Sequence, residues 1–144
     1  MIKFIVVGKI KESYFNEAIE EYLKRLSKYI KINMVEIKDT NKKVEGEKIL
    51  SKISDKDLIV TLDIKGKQLS SKEFSNFVND KLSDTRNLTF VVGGSEGLSE
   101  SVQKRSDCSI SFSKLTFPHK LFRVMFLEQL YRTFKINNNE SYHK

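Results

Sequence analysis

The sequence predicts an α/β fold: a mainly parallel sheet with helices on both faces. Two observations predict it. Short β-branched, apolar runs alternate with helical patterns along the whole chain. The first of these runs, residues 2–7, is apolar without the in–out alternation of a half-exposed strand, so it reads as a strand covered on both sides. No internal repeat and no linker interrupts the pattern, and 144 residues suit a single domain spanning residues 1–144.

Each element has its own signal. After the first strand, Phe15, Ala18, Ile19, Tyr22, Leu23, Leu26, Tyr29 and Ile30 recur at the spacing of one helical stripe. Glu20 with Lys24 and Glu21 with Arg25 stand four apart on the opposite, solvated face. Residues 32–37 read as the second strand, the charged stretch 42–52 as a short helix, and residues 58–62 as the third strand. Ser70 and Glu73 have the spacing of a capping box, opening a helix through Phe74, Phe77, Val78 and Leu82. Residues 88–92 follow as the fourth strand, Ser99 caps a short helix through Arg105, and residues 109–112 are the fifth strand. Pro118 suits the first turn of a last helix over 121–134. That helix is apolar around most of its circumference, so it needs cover on two sides. Either it is central within one chain or a second copy covers it.

Composition narrows the class. The longest apolar runs are far shorter than the roughly 20 residues a membrane-spanning helix needs. The amino terminus shows no export signal, so the cytoplasm is the expected compartment. The single cysteine, Cys108, cannot form an internal disulfide or a zinc cluster, and no metal is expected. The formal charge is +7, and residues 104–144 hold eight Lys and Arg against three acids. A positive field favours polyanions such as RNA, although a merely basic surface would look the same.

Three segments could carry chemistry. The first is Phe90-Val91-Val92-Gly93-Gly94-Ser95-Glu96-Gly97, a strand running into a glycine-rich turn. At the carboxyl edge of a parallel sheet such a turn lets backbone approach a small ligand. It is neither a dinucleotide fingerprint nor a P-loop, and taken alone it reads as a plain tight turn. The second is the mixed loop Ser111-Phe112-Ser113-Lys114-Leu115-Thr116-Phe117-Pro118-His119. The third is the tail ending Ser141-Tyr142-His143-Lys144, whose aromatic, imidazole and cation suit stacking on a base and contact with phosphate, though a frayed tail is the alternative.

In this order and spacing the segments resemble the small SPOUT-class RNA methyltransferases of the RlmH type. The resemblance covers the whole chain. It runs from Val7-Gly8-Lys9-Ile10-Lys11 and Thr61-Leu62-Asp63 with Gly66-Lys67, through Gly93 to Leu98 and Leu115 to His119. It ends with Arg123, Glu128-Gln129-Leu130-Tyr131-Arg132 and Tyr142-His143. The stretch between Asp39 and Ile49 looks shorter than in many relatives.

The resemblance implies a carboxyl-terminal trefoil knot, a homodimer, S-adenosylmethionine as cofactor, and methylation of a pseudouridine N3 in 23S rRNA. It implies that Leu62, Gly93, Phe112, Ser113, Lys114, Leu115, Thr116 and Phe117 bind the cofactor. His143, with an ordinary pKa near 6.5, is the side chain best suited to take the N3 proton, and His119 competes for that role. Tyr142 would stack on a base and Arg132 would hold a phosphate or oxyanion. Arg123 is expected to pair with a carboxylate at a dimer interface, and Glu128 to be structural. Two other classes fit the bare pattern: a non-enzymatic, ribosome-associated RNA-binding protein, and a flavodoxin-like nucleotide or flavin protein.

Overall fold

A computed structural model describes residues 1–84 and 87–142. Five strands form one sheet: β1 (Ile2–Val7), β2 (Ile32–Ile37), β3 (Leu58–Gln68), β4 (Leu88–Val91) and β5 (Cys108–Ser111). Their order is β2-β1-β4-β3-β5, and every pairing is parallel. The helices are α1 (Ser13–Leu26), α2 (Lys42–Ser51), α3 (Ser71–Asp84), α4 (Glu100–Arg105) and α5 (His119–Asn137).

Because both sheet faces are covered, successive residues of β1 enter different cores. Ile2, Phe4 and Val6 face α1, α3 and α5, whereas Ile5 and Val7 join Ile49 and Val102 on the side of α2 and α4. This is why residues 2–7 show no alternation. Phe126 of α5 packs on the sheet with its ring centroid 4.3 Å from Phe4 and 4.8 Å from Phe90. With α1 and α3 flanking it, α5 is central within one chain, which accounts for most of its apolar circumference. Its remaining face, at Val124 and Met125, lines a cavity.

The local signals are realised with small differences. The Ser70–Glu73 capping box is reciprocal: the Ser70 N–H donates to Glu73 at 2.8 Å, and the Glu73 N–H to Ser70 Oγ at 3.0 Å. The first of these bonds holds the Glu73 carboxyl below its ordinary range. Ser99 caps α4. The α1 stripe outruns its helix: Tyr29 and Ile30 instead occupy the closing turn, where both N–H groups donate to the Leu26 carbonyl. Pro118 stands at the N-cap of α5, one residue ahead of its first turn.

β3 departs most, continuing six residues past Leu62 to Gln68. Ile110 of β5 pairs with both Leu62 and Lys67, so residues 63–66 bulge out at the carboxyl edge. Gly66 makes this possible, because a Cβ there would lie 2.6 Å from the backbone of Ile110. Gly66→Ala should therefore destabilise the fold by about 1–3 kcal/mol, the usual cost of overpacking. Thermal denaturation checks this, and an unchanged midpoint would mean that the bulge has room to spare.

Candidate active site

The carboxyl ends of β3, β4 and β5 meet at one edge, where open parallel sheets hold ligands. A cavity of about 220 Å³ opens there. Leu62, Gly93, Phe112, Ser113, Leu115, Thr116 and Phe117 all line it, so the structure gathers residues up to 55 positions apart in sequence. Lys114 is the exception: it is exposed and does not contribute to the lining. Sequence reasoning did not single out Ile64 or Phe122 for the site, and named Asp63, Gly94 and Leu98 only within motifs, not as binding residues. The sequence signal for Asp63 is its place directly after Leu62. His119, in the first turn of α5, also lines the cavity.

Local hydrogen bonds shape the loop after β5. Ser111 Oγ donates to the Ser113 carbonyl at 2.9 Å, and the Leu115 N–H donates to Ser113 Oγ at 3.0 Å. These turns leave Leu115 72% exposed beside the cavity, an apolar side chain with no core to occupy. The glycine turn is shaped from within. A Cβ on Gly93 would come within 2.5 Å of the Gly97 carbonyl carbon, and one on Gly94 within 2.9 Å of the buried Glu45 carboxylate. Gly93 is thus required first by the fold of the turn itself. A larger residue there would disrupt the cavity wall from behind as well as fill the cavity.

Arg123 is engaged within its own chain. It is 3% exposed and donates to the carbonyls of Val7 and Gly8, each at 2.7 Å, and to Glu36 at 3.2 Å. The β1 strand ends there with unpaired carbonyls, and α5 crosses close enough for one guanidinium to satisfy both. The expected carboxylate is therefore within the chain. Burial lowers the guanidinium pKa, against Glu36, yet an arginine stays charged.

Arg132 and Tyr142 lie elsewhere. Arg132 is paired with Glu128 at 2.6 Å, and its guanidinium sits 5.0 Å above the Tyr142 ring. The Tyr142 hydroxyl donates to Glu128 at 3.4 Å. Glu128 is thus the structural anchor of this cluster. It lines a larger cavity of about 380 Å³ with Phe74, Met125 and Gln129. The two cavities share Ile110, Ser111, Phe112, Ser113 and Phe117, so the β5 end and its loop form a common wall. His143 lies outside the described residues.

The sequence matches the family described as "Predicted SPOUT methyltransferase" over residues 1–143. The chain belongs to the SPOUT methyltransferase family. Among curated proteins it is 52% identical to "Ribosomal RNA large subunit methyltransferase H" of Clostridium botulinum (strain Alaska E43 / Type E3), covering 99% of both chains. It is 48% identical, over the same share of both, to the protein of that name from Clostridium acetobutylicum. Membership in this family of enzymes implies a methyl donor, and the observed all-parallel α/β sheet agrees with it. Among the described residues no helix is long and apolar enough to cross a membrane, and no three His, Cys, Asp or Glu form a metal-binding group.

The Tyr142 hydroxyl is pushed up to about 12, first by burial and then by the Glu128 carboxylate. The folded state thus favours the neutral phenol. Its contribution holds below the ordinary tyrosine value of about 10 and is lost as pH rises toward the raised one. Near-ultraviolet titration should find Tyr142 ionising late, along with Tyr29, which its hydrogen bond to Glu140 also raises, and Glu128→Gln should bring Tyr142 down. A titration unmoved by that substitution would contradict the contact.

Proposed function

We propose that residues 1–144 form one domain that methylates N3 of a pseudouridine in 23S rRNA, with S-adenosylmethionine as donor, in the cytoplasm and as a homodimer. One observation carries the choice of donor: among the described residues, the smaller cavity has glycine backbone, apolar walls and no lysine or arginine in its lining. In a chain of net charge +7, such a cavity suits an uncharged base and a cationic sulfonium, and suits phosphates poorly. This favours the methyltransferase reading over a nucleotide- or flavin-binding one. The relatives' printed name supports ribosomal RNA of the large subunit as the substrate. The reading includes a trefoil knot, supported by the path from edge strand β5 back to α5 over the middle of the sheet.

The chain's residues have definite tasks in this reading. Peptide groups at Leu62, Gly93 and the 112–117 loop hold the donor, Lys114 contributing only its backbone, while Leu115 and Phe117 exclude water. When bound, S-adenosylmethionine supplies an electrophilic methyl group. Holding acceptor and donor in line is then the main contribution of the protein. His143 takes the N3 proton, and Tyr142 stacks on the target base, turning out from the Glu128 cluster to do so. Arg132, already bound to Glu128, orients Tyr142 and presents positive charge to the RNA. Within one chain Glu128, the anchor of the Tyr142 cluster, lines the larger cavity, across the shared wall of residues 110–113 and Phe117 from the donor cavity. A second copy supplying its tail would complete the site.

Purified protein, large ribosomal subunits and labelled donor test this directly. The label should appear on one pseudouridine of the large rRNA by mass spectrometry, and an unlabelled rRNA would refute the reading. Truncation after Asn139 should keep donor binding within about threefold while abolishing transfer, since positioning effects on the acceptor act on the chemical step. Full activity of the truncated chain would remove the tail from the mechanism.

A further inference from the structure

Among the described residues, the lining of the donor cavity holds one carboxylate, Asp63, and no lysine or arginine. Asp63 sits at the start of the 63–66 bulge, where β3 leaves its register with β5. Its Oδ1 accepts the Lys65 N–H at 3.3 Å, a bond that keeps the side chain beside its own turn. Glu45 is buried behind Gly94 and accepts the Thr40 N–H at 2.7 Å, outside the lining. Among the described residues Asp63 thus stands in a largely apolar cavity of a strongly basic protein, with His119 the one other ionisable side chain in the lining.

We propose that Asp63 makes this cavity prefer the charged methyl donor over its demethylated product. The inference rests on the donor assignment above. S-adenosylmethionine carries a sulfonium, an ammonium and a carboxylate, for a net charge of +1. Loss of the methyl group turns the sulfonium into a neutral thioether, and S-adenosylhomocysteine has no net charge. The remaining atoms of the two are the same. Shape, stacking and hydrogen bonds at the glycine backbone therefore cannot tell them apart, whereas a nearby carboxylate can. A charge pair beside low-dielectric walls is screened less than one in open water. Product release is favoured by the same device, because transfer itself removes the attraction.

Isothermal titration of the full-length protein with S-adenosylmethionine and, separately, S-adenosylhomocysteine tests this. Asp63→Asn keeps an oxygen to accept the Lys65 N–H, so the turn is preserved. That variant should bind the donor about tenfold more weakly, an effect of the size expected for one partly screened charge pair, and bind the product as before. Asp63→Glu should restore the preference. Raising the salt concentration should weaken donor binding in the unsubstituted protein more steeply than in Asp63→Asn, with product binding flat in both. Equal losses for donor and product would overturn the proposal, because the carboxylate would then act on atoms the two share. Unchanged affinities for both would overturn it as well. An unsubstituted protein that binds neither compound would instead refute the donor assignment.

Discussion

The contact on which the site depends is Phe126 packed against Phe4 and Phe90 in the middle of the sheet. All three rings are fully buried, and removing an aromatic side chain from such a position costs about 3–5 kcal/mol. That contact fixes α5 across β1 and β4. With α5 fixed, the chain arriving from edge strand β5 must cross the carboxyl ends of the central strands to reach it. The 112–117 loop is therefore held over the glycine turn after β4, and the cavity between them follows from where α5 lies.

Arg123 closes the same arrangement one turn earlier on α5. Its guanidinium takes up the carbonyls of Val7, the last residue of β1, and of Gly8 just beyond it. Burying a charge in this way is favourable only when its hydrogen bonds are made, and here they are. At the other end of the helix, Lys135, Glu140 and Tyr29 tie the start of the tail to the turn that closes α1, with bonds of 2.9 Å and 2.7 Å. The Glu140 carboxyl is held below its ordinary range, first by Lys135 and then by Tyr29. The tail is thus attached up to Glu140, and Tyr142 is held beyond it by Glu128 and Arg132.

Much of this architecture was legible in the sequence. Residues 2–7 and 32–37 begin and end as their β-branched runs do, and the Ser70–Glu73 box is made as its spacing requires. The extension of β3 was not legible, because residues 63–68 have no apolar pattern and are strand only by pairing again with β5. The partners of Arg123 were hidden for a related reason: nothing local says that β1 ends beneath α5, 115 residues away. In the site, the glycine turn and the loop after β5 could be read as ligand-facing segments, and the family resemblance made them one cavity. Asp63 and the buried Glu45 behind Gly94 required the folded chain, since a carboxylate is ordinary in sequence and informative only when its surroundings are neutral.

The most direct measurement is a crystal structure of the protein grown with saturating S-adenosylmethionine. The donor should lie between Leu62, Gly93 and the 112–117 loop, with a second copy's tail approaching its sulfonium. Density for it in the larger cavity beside Met125 and Gln129, or none in either, would contradict the account.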